Sequence, residues 1–133
     1  MNPNYALIAE RAGFRCEYCH APAALFNFPF EIEHIVPTAR GGADAPDNLA
    51  LACRACNVFK GTAMTAVDPT SSLDAALFHP RRDDWLVHFR FDREKAGLIG
   101  TTPTGRATIE KLRFNHPMQV RARREWMRLG QFP

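Results

Sequence analysis

No apolar run in the 133 residues approaches the ~20 needed to span a bilayer. Met1 to Gly13 also lacks the apolar stretch of a secretory signal, because Asn2, Asn4, Glu10 and Arg11 interrupt it. These absences argue against a membrane partner and predict a cytoplasmic protein, in a compartment where thiols stay reduced. An excess of either charge is missing too. Lys and Arg total 17 against 14 Asp and Glu, and the resulting +3 does not by itself establish a nucleic-acid partner. There is no internal repeat and no low-complexity tract. What remains, 46% hydrophobic and 23% charged residues, is an ordinary globular composition on a length that favours one compact domain with at most an appended subdomain.

Cysteine is sparse, at four residues, but it is patterned. Cys16 and Cys19 form one C-x-x-C pair, and Cys53 and Cys56 form another. Each pair can bend its backbone into a knuckle, and two knuckles complete a tetrahedral thiolate site with no open coordination position. The expected cofactor is therefore a structural Zn²⁺. Two disulfides fit a reducing compartment poorly, and a redox C-x-x-C calls for a βαβ pattern that is not visible here.

The pattern along the chain predicts an α+β fold. Pro3 to Ala12 reads as a helix with Asn2 as its N-cap and Gly13 past its end. Phe28 to Val36 alternates as a strand, with Phe30, Ile32 and His34 on one face and Glu31, Glu33 and Ile35 on the other. Gly41 and Gly42 open a loop, Leu49 to Ala52 reads as a short strand, and Arg54 to Lys60 as a helix closed by Gly61. Residues 1–62 thus form one unit. Residues 63–82, with Pro69, Thr70, Ser71, Ser72 and Pro80, read as a wrapping connector rather than a core element. Residues 83–133 form a small extension packed on the core: a strand over Trp85–Phe91, a hairpin partner over Leu98–Thr101, and helices over Thr104–Leu112 and Pro117–Leu129. Its Phe and Trp side chains are expected to be core.

Between the cysteine pairs lie Glu33-His34-Ile35-Val36-Pro37, Arg40-Gly41-Gly42 and Asp47-Asn48-Leu49, followed by Cys53-Arg54-Ala55-Cys56-Asn57 and Lys60. Over roughly Phe14 to Gly61 this ordered series resembles the HNH endonuclease family, whose β-hairpin and helix grip one metal ion. The resemblance implies a zinc-stabilised ββα-metal core and an H-N-N variant, with His34, Asn48 and Asn57 as the three signature residues. It also implies that Asn48 orients the histidine by holding the long loop. Two departures stand out: Glu33 occupies a position that is often Asp, and Asn57 one that is often His.

Chemistry supports these roles. Phosphodiester hydrolysis needs a base to activate water and a cation to neutralise charge on the phosphate and the departing 3′ oxygen. His34 supplies an imidazole nitrogen that can act as this base. Glu33 and Asn57 together offer oxygen donors suited to catalytic Mg²⁺ or Mn²⁺. On a regular strand, however, Glu33 and His34 leave on opposite faces, so a strand end or a bulge is expected to bring them together.

Arg40, Arg54 and Lys60 flank this site as expected phosphate contacts. From Arg106 to Arg128, Arg106, Lys111, Arg113, Arg121, Arg123, Arg124 and Arg128 outnumber Glu110 and Glu125, a basic face suited to DNA through Arg121 and Arg124. His20 can be a surface group, a donor to a thiolate or a phosphate contact. Residues 78–81, Trp85, His88-Phe89 and 105–110 resemble an extension carried by some bacterial HNH proteins. The expected function is metal-dependent hydrolysis of DNA without an organic cofactor. The alternative is a catalytically inactive zinc-dependent DNA-binding or adaptor module.

Overall fold

The computed structural model describes residues 2–133. The chain begins with helix α1 (Tyr5–Arg11), later than the sequence pattern suggests. Asn2 is the reason: its side chain accepts from the Asn4 N–H at 2.8 Å and its carbonyl from Tyr5 at 3.0 Å, which closes a turn ahead of the helix.

Strand β1 (Glu31–His34) pairs antiparallel with β2 (Leu49–Ala52), and helix α2 (Arg54–Lys60) follows at once. This is the expected ββα unit. Its register runs unbroken from Glu31 opposite Ala52 to His34 opposite Leu49. Every residue of β2 is buried, because α1 and the first cysteine knuckle cover it. Cys53 ends β2 and starts α2: it is the helix N-cap, and its sulfur accepts the Cys56 N–H at 3.5 Å.

The segment expected to be a connector holds a hairpin instead, β3 (Thr65–Val67) with β4 (Asp74–Ala76). Its Pro69-Thr70-Ser71-Ser72 stretch is the turn, organised by Asp68, whose carboxylate accepts from the Thr70 N–H and the Ser71 hydroxyl, both at 3.0 Å. Leu77 and Phe78 then enter the core. The strand expected over Trp85–Phe91 is split. Asp84 caps a helical turn, α3 (Trp85–His88), leaving Leu86 and Val87 exposed, and only then does β5 (Phe89–Asp92) pair with β6 (Gly97–Gly100). Helices α4 (Pro103–Leu112) and α5 (Pro117–Arg128) match expectation to within a residue.

One buried cluster runs from Ile8 through the cysteines and β2 to Phe78, Phe89, Phe114, Trp126 and Phe132, so the aromatic residues of the second half are core as predicted. The fold class is α+β, with small antiparallel sheets and helices around a four-cysteine cluster.

Candidate active site and zinc framework

Cys16, Cys19, Cys53 and Cys56 are all buried and unoxidised, and their sulfurs lie within 4.8 Å of one another. Zn–S bonds of ~2.3 Å in a tetrahedron place sulfurs about 3.8 Å apart. Cys19 and Cys53 are at 3.8 Å. Burial and the neighbouring sulfurs push the Cys56 thiol well up, a penalty that a coordinated dication removes by holding the group as thiolate. The donor set fits structural zinc.

The first knuckle carries more than sulfur. Tyr18, between its two cysteines, is 1% exposed and donates its hydroxyl to Glu33 Oε2 at 2.6 Å. From α2, Lys60 donates to Glu33 Oε1 at 2.5 Å and to the Ile35 carbonyl at 3.0 Å. Glu33 is 4% exposed and Lys60 2%. Burial pushes the Glu33 carboxyl up, and Lys60 and Tyr18 oppose the shift. Two sequence expectations are corrected here. Lys60 does not reach a phosphate, because it lies inside the fold as the counter-ion of Glu33. The bulge expected to bring Glu33 and His34 together is absent, because β1 pairs regularly over these residues and the two side chains leave on opposite faces.

Period two places Glu31 on the same face as Glu33, while Asn57 and Lys60 are three apart on α2. The β1–α2 interface therefore has two rungs. The inner rung is Glu33 with Lys60. The outer is Glu31 with Asn57, whose amide contacts Glu31 Oε2, while Arg54 reaches Glu31 Oε1 at 2.8 Å. Glu31 has 29% of its side chain exposed and Arg54 78%, so the outer rung is open to solvent.

His34 ends β1 on the other face, 29% exposed, with Nε2 3.0 Å from Asp44 Oδ1. With the proton on Nε2, Asp44 accepts it, leaving Nδ1 with its lone pair. Asn48 braces the loop between. Its Oδ1 accepts the Val36 N–H at 2.8 Å, and its Nδ2 donates to the carbonyls of Val36 at 2.9 Å and Ala43 at 2.8 Å. Gly42 lies against the Val36 carbonyl where a Cβ would collide, and Gly41 turns at φ +84°, so the glycine pair lets the loop fold back onto Asn48. Arg11 closes the loop from α1 through the carbonyls of Pro46 at 2.8 Å and Leu49 at 2.6 Å.

The basic residues divide sharply. Arg40, Arg54, Arg121 and Arg124 are exposed. Arg40 donates to the Thr62 carbonyl and Arg124 to that of Glu94. Arg106 and Arg123, counted in the basic face, are already engaged within the fold: half-buried Arg106 grips buried Asp68 with two bonds of 2.9 Å, and Arg123, 0% exposed, donates to the carbonyls of Ala96 and Phe114. His20 stacks on Trp85 with ring centroids 4.0 Å apart, and burial pushes its pKa down to about 4, so it carries no charge for a phosphate at neutral pH.

Sequence reasoning missed Tyr18, Glu31, Asp44 and Arg11 as parts of this site. Glu31 had a usable signal, two residues from Glu33 and so on its face. Tyr18, lying between two ligands, was bound to point toward the knuckle's surroundings. Asp44, in an irregular loop, had none.

No helix of the described residues is long and apolar enough to cross a membrane. No curated protein and no solved structure gives a significant match to the chain. Residues 16–62 do match a family model, that of the HNH endonuclease. The cysteine quartet and the β1–β2–α2 order both lie inside those limits, so the likeness to the HNH endonuclease family is carried by the segment from Cys16 to Thr62.

Proposed function

We propose that this protein is a metal-dependent endonuclease that hydrolyses DNA phosphodiester bonds, with His34 as the general base. The single observation carrying this reading is the His34–Asp44 pair at 3.0 Å on a partly exposed strand end. A carboxylate that accepts one ring proton fixes tautomer and ring orientation and strengthens the other nitrogen as a base. That nitrogen would take the proton of the water attacking phosphorus. Asn48 is the positioning residue: it holds the backbone at Val36 and Ala43, on either side of the turn that carries Asp44 to His34. Zinc is assigned to structure, since its four thiolates leave no position for water.

A catalytic Mg²⁺ or Mn²⁺, when bound, neutralises charge on the phosphate and the leaving oxygen. Asn57 remains available for it. Glu33, the expected second ligand, does not fit, because both of its oxygens are taken inside the fold by Tyr18 and Lys60. Arg40 and Arg54 lie near the β1–α2 unit as phosphate contacts, with Arg121 and Arg124 on the C-terminal helix extending the basic surface. A cytoplasmic location accords with the reduced thiols such a zinc site needs.

The test is supercoiled plasmid incubated with the zinc-loaded protein and Mg²⁺, Mn²⁺ or EDTA. Nicked or linear product with either metal and none with EDTA is expected. Wild-type protein that binds DNA but is inactive with every divalent metal would establish the adaptor module instead.

A further inference from the structure

The two rungs of the β1–α2 interface are chemically alike but differ in their surroundings. Each sets a glutamate of β1 against a polar side chain of α2. In the inner rung Glu33 faces an ammonium group, accepts a phenol as well, and is closed to solvent. A buried, paired carboxylate cannot take a dication without releasing its ammonium partner into an apolar interior, which is strongly unfavourable. In the outer rung Glu31 faces a neutral amide, and its one cationic partner, Arg54, is mostly in water. An exposed ion pair of that kind is worth little and exchanges readily.

We infer that Glu31, not Glu33, is the carboxylate that holds the catalytic divalent ion together with Asn57, and that Glu33 with Tyr18 and Lys60 is a positioning network tying the zinc knuckle to the strand that ends in His34. This rests on the nuclease reading above and deepens it. The donors suit the ion: the Glu31 carboxylate and the Asn57 amide, whose Nδ2 faces Glu31 and whose oxygen a turn of the amide would present instead, are hard oxygen ligands, and their open side leaves room for waters and phosphate oxygens. Among the described residues β1 pairs with β2 alone, so no strand covers its other edge beside Glu31. Zinc holds Asn57 in place, because it directly follows the ligand Cys56 on α2.

The experiment titrates Mn²⁺ into zinc-loaded protein, following free Mn²⁺ by electron paramagnetic resonance, with melting temperature measured on the same samples. Glu31→Gln should weaken Mn²⁺ binding by about tenfold or more at an unchanged melting temperature, since affinity follows the charge of the ligand set. Arg54→Ala should tighten it, because the competing cation is gone. Glu33→Gln should lower the melting temperature and leave Mn²⁺ affinity within about twofold, as expected for a carboxylate outside the ligand set. If Glu33→Gln does not fold, the Glu31→Gln and Arg54→Ala titrations decide alone. Wild-type affinity in Glu31→Gln, in a protein that binds Mn²⁺ and nicks plasmid, overturns this inference and leaves the nuclease reading standing. A wild type that neither binds Mn²⁺ nor nicks overturns both.

Discussion

The two halves of this chain solve the same problem with different materials. In the second half, aromatic rings do the packing: Phe78 meets Phe89 at 5.4 Å, Phe89 meets Phe114 at 5.6 Å, and Trp126 meets Phe132 at 6.1 Å. Such pairs combine a large buried apolar area with about 0.5–1.5 kcal/mol of ring contact each. The HNH segment has no comparable cluster between its strands and its helix. There the β1–α2 interface is polar, built from Glu31, Glu33, Asn57 and Lys60, and the cysteine quartet bears on the geometry instead. A metal cross-link lets a short segment keep charged side chains where a domain of this size would otherwise need apolar ones. On the nuclease reading proposed above, the catalytic site and a zinc held by the quartet would share the 16–62 segment for one physical reason.

Removing the metal should break this contrast most severely. Purified protein is expected to hold one zinc per chain, and Cys53→Ser or a strong chelator should unfold the HNH segment, since structural zinc supplies on the order of 10 kcal/mol in small zinc domains. Hydrogen exchange is the measurement: amides of β1, β2 and α2 should lose protection while those of β5, β6 and α4 keep more of theirs. Equal loss in both halves would mean the aromatic core does not stand on its own packing. Next in size is Lys60→Met. It strands Glu33 in the interior and should cost about 3–5 kcal/mol in chemical denaturation, the usual penalty for breaking a buried pair. A double change of Lys60→Met with Glu33→Leu should recover much of that loss, as apolar replacements of buried pairs do.

The second half has its own ion pair, buried Asp68 with half-buried Arg106, and it offers a smaller effect with a pH signature. Arg106 holds the Asp68 carboxyl well below its ordinary range. A depressed carboxylate contributes stability that is full above its unfolded pKa of ~3.9 and is lost as pH falls through the folded value. Asp68→Asn should therefore be less stable than wild type at pH 7, and the gap should narrow only below about pH 4. A gap that stays constant down to pH 2 would remove the charge from the explanation. Smallest is charge reversal at Arg121 and Arg124. It should weaken DNA binding equally across sequences and reduce the salt slope by about 1 for each phosphate no longer neutralised. An unchanged slope would assign these arginines to solvent.

Much of this was readable from spacing. The C-x-x-C pairs, Asn48, the glycine pair and the ββα order are local signals, because each depends on residues within a few positions of one another. Both C-terminal helices were legible for the same reason, carrying a proline at the start and apolar periodicity after it. What was not legible depended on partners distant in sequence. Lys60 looks like any helix-end lysine until Glu33 and the Ile35 carbonyl surround it. Arg123 sits among surface arginines by sequence and is 0% exposed in the fold. The alternation over Trp85–Phe91 suggested a strand because periodicity carries no information about Asp84, whose side chain starts a helical turn instead. Parity along β1 did foretell that Glu33 and His34 diverge, and the expected bulge that would have reunited them is not there.

In the proposed reaction His34, oriented by Asp44, takes the proton from the attacking water. Single-turnover nicking of a supercoiled plasmid by wild type and by His34→Ala, at saturating Mg²⁺ and with DNA affinity and zinc content measured in parallel, tests it directly. A rate lower by on the order of 10²–10⁴-fold is expected in His34→Ala, the usual worth of a general base. DNA affinity and zinc content should be unchanged. Nicking by His34→Ala at the wild-type rate would contradict it.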